Sequence, residues 1–169
     1  MGRYTRHYEN YQSQLHEIVW RQFSARKYLW AAFVWCMFDF PSSGREEGDT
    51  IGQNGKGLCT RERIPKDAYF FYRSVWSSEK TIYITEHRHY VRPCNAPFIK
   101  IYSNAQSIEL IVNDRPLGII KRSELSNSTD TVFIWNNVNI NKNEKNTITA
   151  KATFDDDTIK YDKVCWYGE

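Results

Sequence analysis

The chain has 169 residues, 41% apolar and 15% aromatic, with 23 basic against 20 acidic side chains for a net charge of +3. That apolar content excludes a disordered chain, and acids and bases so interspersed lack the concentrated basic footprint of a nucleic-acid binder. Cys36, Cys59, Cys94 and Cys165 include no C-x-x-C pair, so neither a zinc site nor a disulfide framework is expected. No segment reaches the roughly 18 apolar residues of a membrane span. The N-terminus carries no signal-peptide core, so a periplasmic or extracellular location would need a signal in preceding sequence.

From Arg3 to Arg26, Tyr4, Tyr8, Tyr11, Leu15, Ile18, Val19 and Phe23 recur at spacings of three and four among polar residues, which predicts an amphipathic helix. Arg26 and Lys27 suit its C-terminal dipole. Leu29 to Phe40 is an almost unbroken apolar run and predicts a strand buried on both faces, as in a parallel sheet with helical cover. Pro41 to Gly57 follows as a loop holding five of the eight glycines, and loops beyond roughly 12 to 15 residues are usually functional or disordered. Gly57 to Arg63 reads as a short extended piece. Pro65 then opens a second helix from a first-turn position, with Ala68, Phe71, Tyr72 and Val75 as its buried stripe.

Near Ser77 to Lys80 the helical period gives way to short β-type runs, placing a boundary between residues 1–78 and 79–169. Strands are expected at Thr81–Thr85, Phe98–Ser103, Ser107–Asn113, Leu117–Arg122, Thr131–Val138, Asn146–Phe154 and Thr158–Trp166. Asn113-Asp114-Arg115-Pro116 supplies the turn of one hairpin. Strands this short and evenly spaced predict an antiparallel, immunoglobulin-like sandwich. The overall fold class is thus an α/β segment followed by an all-β sandwich.

Strand ends that run into long loops are where α/β enzymes place their active sites. Trp35, Phe38, Asp39, Arg45, Glu46, Glu47, Asp49, Asn54 and Lys56 would share that side. An indole there can stack on the apolar face of a pyranose, or simply belong to the core. Asn54 and Lys56 flank Gly55, so both could face an anionic or hydroxyl-rich ligand; the alternative is a glycine turn with a solvated lysine. Cleavage of a glycosidic bond asks for two carboxylates, about 5 Å apart in retaining enzymes, and the adjacent Glu46 and Glu47 would point opposite ways. His87 and His89 share one strand face with no third ligand nearby, which suits surface histidines better than a metal site.

The runs FVWCMFDFPSSGREEGDT, NGKGLCTRERIPKDAYFFYRSVWS, IYSNAQSIELIVNDRPLG and NVNINKNEKNTITAKA resemble the C-terminal part of a glycoside hydrolase family 2 enzyme, of the β-galactosidase and β-glucuronidase type. The resemblance implies the end of a (β/α)8 barrel and a trailing immunoglobulin-like domain. Tyr4–Arg26 would be the seventh barrel helix, Leu29–Asp39 the eighth strand, Lys66–Trp76 the last helix, and Glu79 onward the sandwich. The family's two catalytic glutamates lie on earlier strands, so no catalytic residue, metal or cofactor is assigned and the chain is expected to be inactive alone. Trp35 matches the eighth-strand tryptophan lining the sugar pocket. Asn54 and Lys56 match the Asn-x-Lys pair with which β-glucuronidases hold the substrate carboxylate. The implied partners are a β-galactoside or β-glucuronide, and the rest of the barrel or a second copy covering residues 1–78. A β-galactosidase-like fragment is the leading expectation, with a non-catalytic carbohydrate-binding module and a β-glucuronidase fragment as alternatives.

Overall fold

Polar side chains, not apolar ones, form the buried face of the first helix. The computed structural model describes residues 9–46, 50–125 and 130–169, with the main chain alone at 96 and 97. Within them α1 spans Glu9–Ser24, so Tyr4 and Tyr8 of the expected stripe lie outside the described residues. Glu9, Ser13 and Glu17 are buried at successive i, i+4 positions, whereas Tyr11, Leu15, Ile18 and Phe23 are exposed. The helical period is as read, but the stripe that packs is the polar one because it has backbone groups to reach. Glu9 Oε2 accepts the Asp67 N–H at 3.3 Å, and Gln12 Nε2 donates to the carbonyls of Lys56 and Gly57, each at 3.0 Å.

The doubly buried strand expected over Leu29–Phe40 does not form. Trp30 is 93% exposed and Phe33 89% exposed, and residues 29–37 enter no β-ladder among the described residues. A strand requires a neighbour for its N–H and C=O groups, and only the last residues of this run find one. Phe38 bridges Cys59 in parallel sense; the Leu58 and Cys59 N–H groups donate to the carbonyls of Cys36 and Met37 at 2.9 Å, and the Asp39 N–H to that of Cys59 at 3.0 Å.

Beyond it, β1 (Phe40–Pro41) pairs antiparallel with β2 (Gln53–Asn54), with Phe40 opposite Asn54. Two bonds close the intervening loop, Ser42 N–H to the Gly52 carbonyl at 2.7 Å and Gly52 N–H to the Arg45 carbonyl at 2.8 Å. Pro65 does not enter the next helix as expected; it bridges Cys59, and α2 runs Asp67–Trp76 with Ala68, Phe71 and Tyr72 buried. Two compact units result, Met1–Phe70 and Phe71–Glu169, divided within α2 ahead of the boundary read from sequence. No helix among the described residues is long and apolar enough to cross a membrane.

The second unit is a β-sandwich. One sheet has the order β3 (Ile82–Ile84), β5 (Asn95–Ser103), β8 (Val132–Asn139). The other has the order β4 (Val91–Arg92), β10 (Ile159–Gly168), β9 (Lys145–Thr153), β6 (Ser107–Val112), β7 (Arg115–Lys121). Each strand expected from sequence is present within a few residues; β4, a two-residue strand parallel to the end of β10, was not foreseen. Period-two burial builds the core: Ile108, Leu110 and Val112 from β6 and Ile148, Ala150 and Ala152 from β9 face Ile99, Ile101, Phe133 and Trp135 of the other sheet. Large pairs with small across β6 and β9, Ile108 with Ala152 and Leu110 with Ala150. Asn113 and Asp114, both at positive φ, make the tight hairpin turn between β6 and β7.

One amide ties the loops at an end of this sandwich. Asn146 is fully buried; its Oδ1 accepts from Asn113 Nδ2 and the Asn141 N–H at 2.7 Å, while its Nδ2 donates to the carbonyls of Asn141 at 2.9 Å and Glu144 at 3.0 Å. Asn146→Ala strands these partners and is expected to cost about 2 to 4 kcal/mol, read by urea unfolding followed through tryptophan fluorescence. In the first unit, burial lowers the pKa of His16. The unfolded chain therefore binds the proton more readily, and stability falls as pH drops below the usual imidazole value of about 6.5. Exchange protection of α1 should be weaker at pH 5 than at pH 7.5, and His16→Gln should narrow the difference.

Candidate functional site

The loop between β2 and the segment 57–59 is organised by a buried ion pair. Lys66 Nζ lies 2.8 Å from both Asp39 carboxylate oxygens, and the two side chains are 7% and 5% exposed. Asp39 Oδ1 also accepts the Gly57 N–H at 2.8 Å, and Lys66 Nζ also donates to the Gly55 carbonyl at 3.1 Å. Charges this deep persist only when paired and hydrogen-bonded, and here these bonds serve the loop and the pair itself. Gly57 admits no side chain: a Cβ would stand 2.2 Å from the Asp39 nitrogen and 2.4 Å from the Phe38 carbonyl carbon. Arg63, at φ 71°, lays its guanidinium 3.7 Å above the Phe38 ring centroid and shields the same corner.

The three residues singled out by sequence lie along this framework. Trp35 is 73% exposed, with its ring edge-on to Phe40 at 6.0 Å between centroids, so an indole face stays open. Phe40 in turn stands opposite Asn54 in the β1–β2 ladder. Asn54 is buried, and its Oδ1 accepts the Lys56 N–H at 3.1 Å, which leaves the Nδ2 amide as the end able to meet a ligand. Lys56 is exposed and makes no ion pair among the described residues. An open indole face and an uncompensated ammonium on a pinned backbone can stack an apolar ring face and hold an anionic group.

Other candidates separate from this group. Glu46 is exposed, while Glu47 and Asp49 lie outside the described residues. His87 lies in a turn and His89 just after it, neither on a strand face: His87 Nε2 meets Asp162 Oδ2 at 2.8 Å, and His89 Nδ1 lies 3.7 Å from Glu86 Oε1. Among the described residues no three His, Cys, Asp or Glu side chains converge as a metal site. Burial first, then the Asp39 charge, raises the Cys36 thiol pKa, and burial does the same at Cys59, so neither is an activated nucleophile. Lys66 was not singled out by sequence reasoning; its only signal was a lysine beside Pro65 at a helix start.

No protein-family model matches the sequence. The chain is 34% identical over 161 residues to a β-glucuronidase of Bacteroides fragilis, an alignment covering 92% of this chain and 22% of that protein. It is 26% identical over 95 residues to a β-galactosidase of Bacteroides ovatus, 56% of this chain and 11% of the relative. Among solved structures it is similar to an FMN-binding β-glucuronidase from Faecalibacterium prausnitzii L2-6, with a TM-score of 0.81 and 30% identity over 95% of this chain and 23% of that one. The chain spans less than a quarter of the length of each of these proteins, and its homologues are β-glucuronidases and β-galactosidases.

Proposed function

We propose that this chain is the C-terminal part of a retaining β-glycosidase of glycoside hydrolase family 2, contributing one wall of its sugar pocket and a trailing immunoglobulin-like sandwich. Trp35 is the stacking platform, and Asn54 Nδ2 and Lys56 Nζ are the polar contacts. The two carboxylates that protonate the leaving group and form the glycosyl-enzyme belong to other barrel strands. The observation that carries this reading is the pinned Asn54–Lys56 loop beside an open indole, in a chain whose homologues act on glucuronides and galactosides by name. Lys56, exposed and without an ion pair among the described residues, favours a uronate over a neutral galactoside, because a sugar carboxylate is a charge its ammonium can pair with.

Two apolar surfaces support the remainder of the barrel as the partner of the first unit. The outward stripe of α1, with Tyr11, Leu15 and Ile18, and the run holding Trp30 and Phe33 are both exposed where a barrel strand and its helices would pack.

Replacing the matching segment of the Bacteroides fragilis β-glucuronidase with this chain tests the site. Lys56→Ala in that hybrid should lower kcat/KM for a nitrophenyl β-glucuronide about 30-fold, the worth of a charged hydrogen bond, and change the galactoside value less than about 3-fold. Equal losses on both substrates would remove the uronate contact. The chain by itself should bind a hydrophobic dye or self-associate in sedimentation; a dye-silent monomer would contradict the half-packed first unit.

A further inference from the structure

The main chain of residues 55–57 is held almost wholly by side chains. The Gly55 carbonyl accepts from Lys66, the Lys56 N–H donates to Asn54, the Lys56 and Gly57 carbonyls accept from Gln12, and the Gly57 N–H donates to Asp39. Only the Lys56 side chain projects from this clasp. We infer that Asp39 and Lys66 are positioning residues that set the enzyme's discrimination between charged and neutral sugars without touching substrate. The inference rests on Lys56 being the carboxylate contact, as proposed above.

The physical argument is one of ordering. A lysine on a mobile loop spends binding energy on fixing its backbone before it can hold an anion, whereas a prefixed loop leaves only the side-chain torsions to order. Gly57 presses main chain against main chain at Asp39, so the loop has no room to settle inward. Loosening the clasp therefore weakens the ammonium–carboxylate contact. Stacking on Trp35, which is braced by Phe40 rather than by the ion pair, is left largely intact. The discrimination ratio is thus the quantity the pair controls.

Neutralising one partner strands the other as a buried charge, so Asp39→Asn and Lys66→Met each disturb the loop. The double variant Asp39→Asn/Lys66→Gln keeps an acceptor for the Gly57 N–H and a donor for the Gly55 carbonyl without charge. Two measurements decide the matter: Gly57 amide exchange in the chain itself, and the glucuronide-to-galactoside ratio of kcat/KM in the hybrid enzyme. Asp39→Asn should speed Gly57 exchange at least about 10-fold and lower the ratio about 10-fold, mainly through KM, with the double variant returning both to within about 3-fold of the parent. These magnitudes follow the worth of one charged hydrogen bond. A ratio unmoved by Asp39→Asn but lowered by Lys56→Ala overturns the inference and spares the uronate reading. A ratio unmoved by Lys56→Ala removes the uronate reading itself. If Asp39→Asn does not fold, Lys66→Met is read in its place: faster Gly57 exchange with a lowered ratio upholds the inference, and faster exchange with the parent ratio overturns it.

Discussion

A carboxylate and an ammonium, Asp39 and Lys66, 27 residues apart and buried at 2.8 Å, fix the first unit. The pair joins the end of the apolar run to the residue preceding α2, and the chain between them has little freedom to be elsewhere. The β1–β2 turn and the 55–57 backbone lie within that span, and the Phe38–Cys59 bridge closes at its edge. Such a pair is not a source of large net stability, since desolvation offsets most of its attraction. What it provides is geometry: either charge alone would be intolerable at that depth, so the two segments that carry them stay together.

The sandwich meets the same requirement with neutral groups. Asn146 spends both ends of its amide on loop partners, and the strands around it are joined by regular ladders and a core of alternating side chains. It thus carries its own apolar cover, with Trp166 and Phe133 almost wholly enclosed. The first unit instead leaves Trp30 and Phe33 in the open while burying Glu9, Ser13 and Glu17. Its polar interior positions a loop, and its apolar exterior is what a neighbouring structure would cover.

This contrast explains which features could be read from sequence. Alternation in Ile108, Leu110 and Val112 marks a strand whose two faces meet different surroundings, and both are present here, so β6 was readable to within a residue. The run from Leu29 has the composition of a strand buried on both faces, but burial needs neighbours, and among the described residues only Phe38 onward finds one. Asp39 was the one charge in that run, a visible anomaly; its partner was not visible, because no periodicity links positions 27 apart. The Asn54-Gly-Lys56-Gly spacing pointed to a turn, but only three dimensions reveal that Gly57 is required by the backbone of Asp39. The inverted burial of α1 escaped for a related reason: an amphipathic pattern names two faces without saying which one will find a partner.

That inversion bears on the order in which the chain acquires structure. Ordinary collapse gathers apolar surface first and settles polar contacts afterwards. The sandwich suits that sequence of events, because its strands bury their apolar faces against one another. In α1 the apolar side chains Tyr11, Leu15, Ile18 and Phe23 lie exposed among the described residues, while Glu9 and Gln12 reach backbone groups at Asp67, Lys56 and Gly57 that the loop and the start of α2 set in place. A helix that reaches a loop through polar contacts and leaves its apolar stripe exposed has the features of the low-stability end of a structure, where local opening starts.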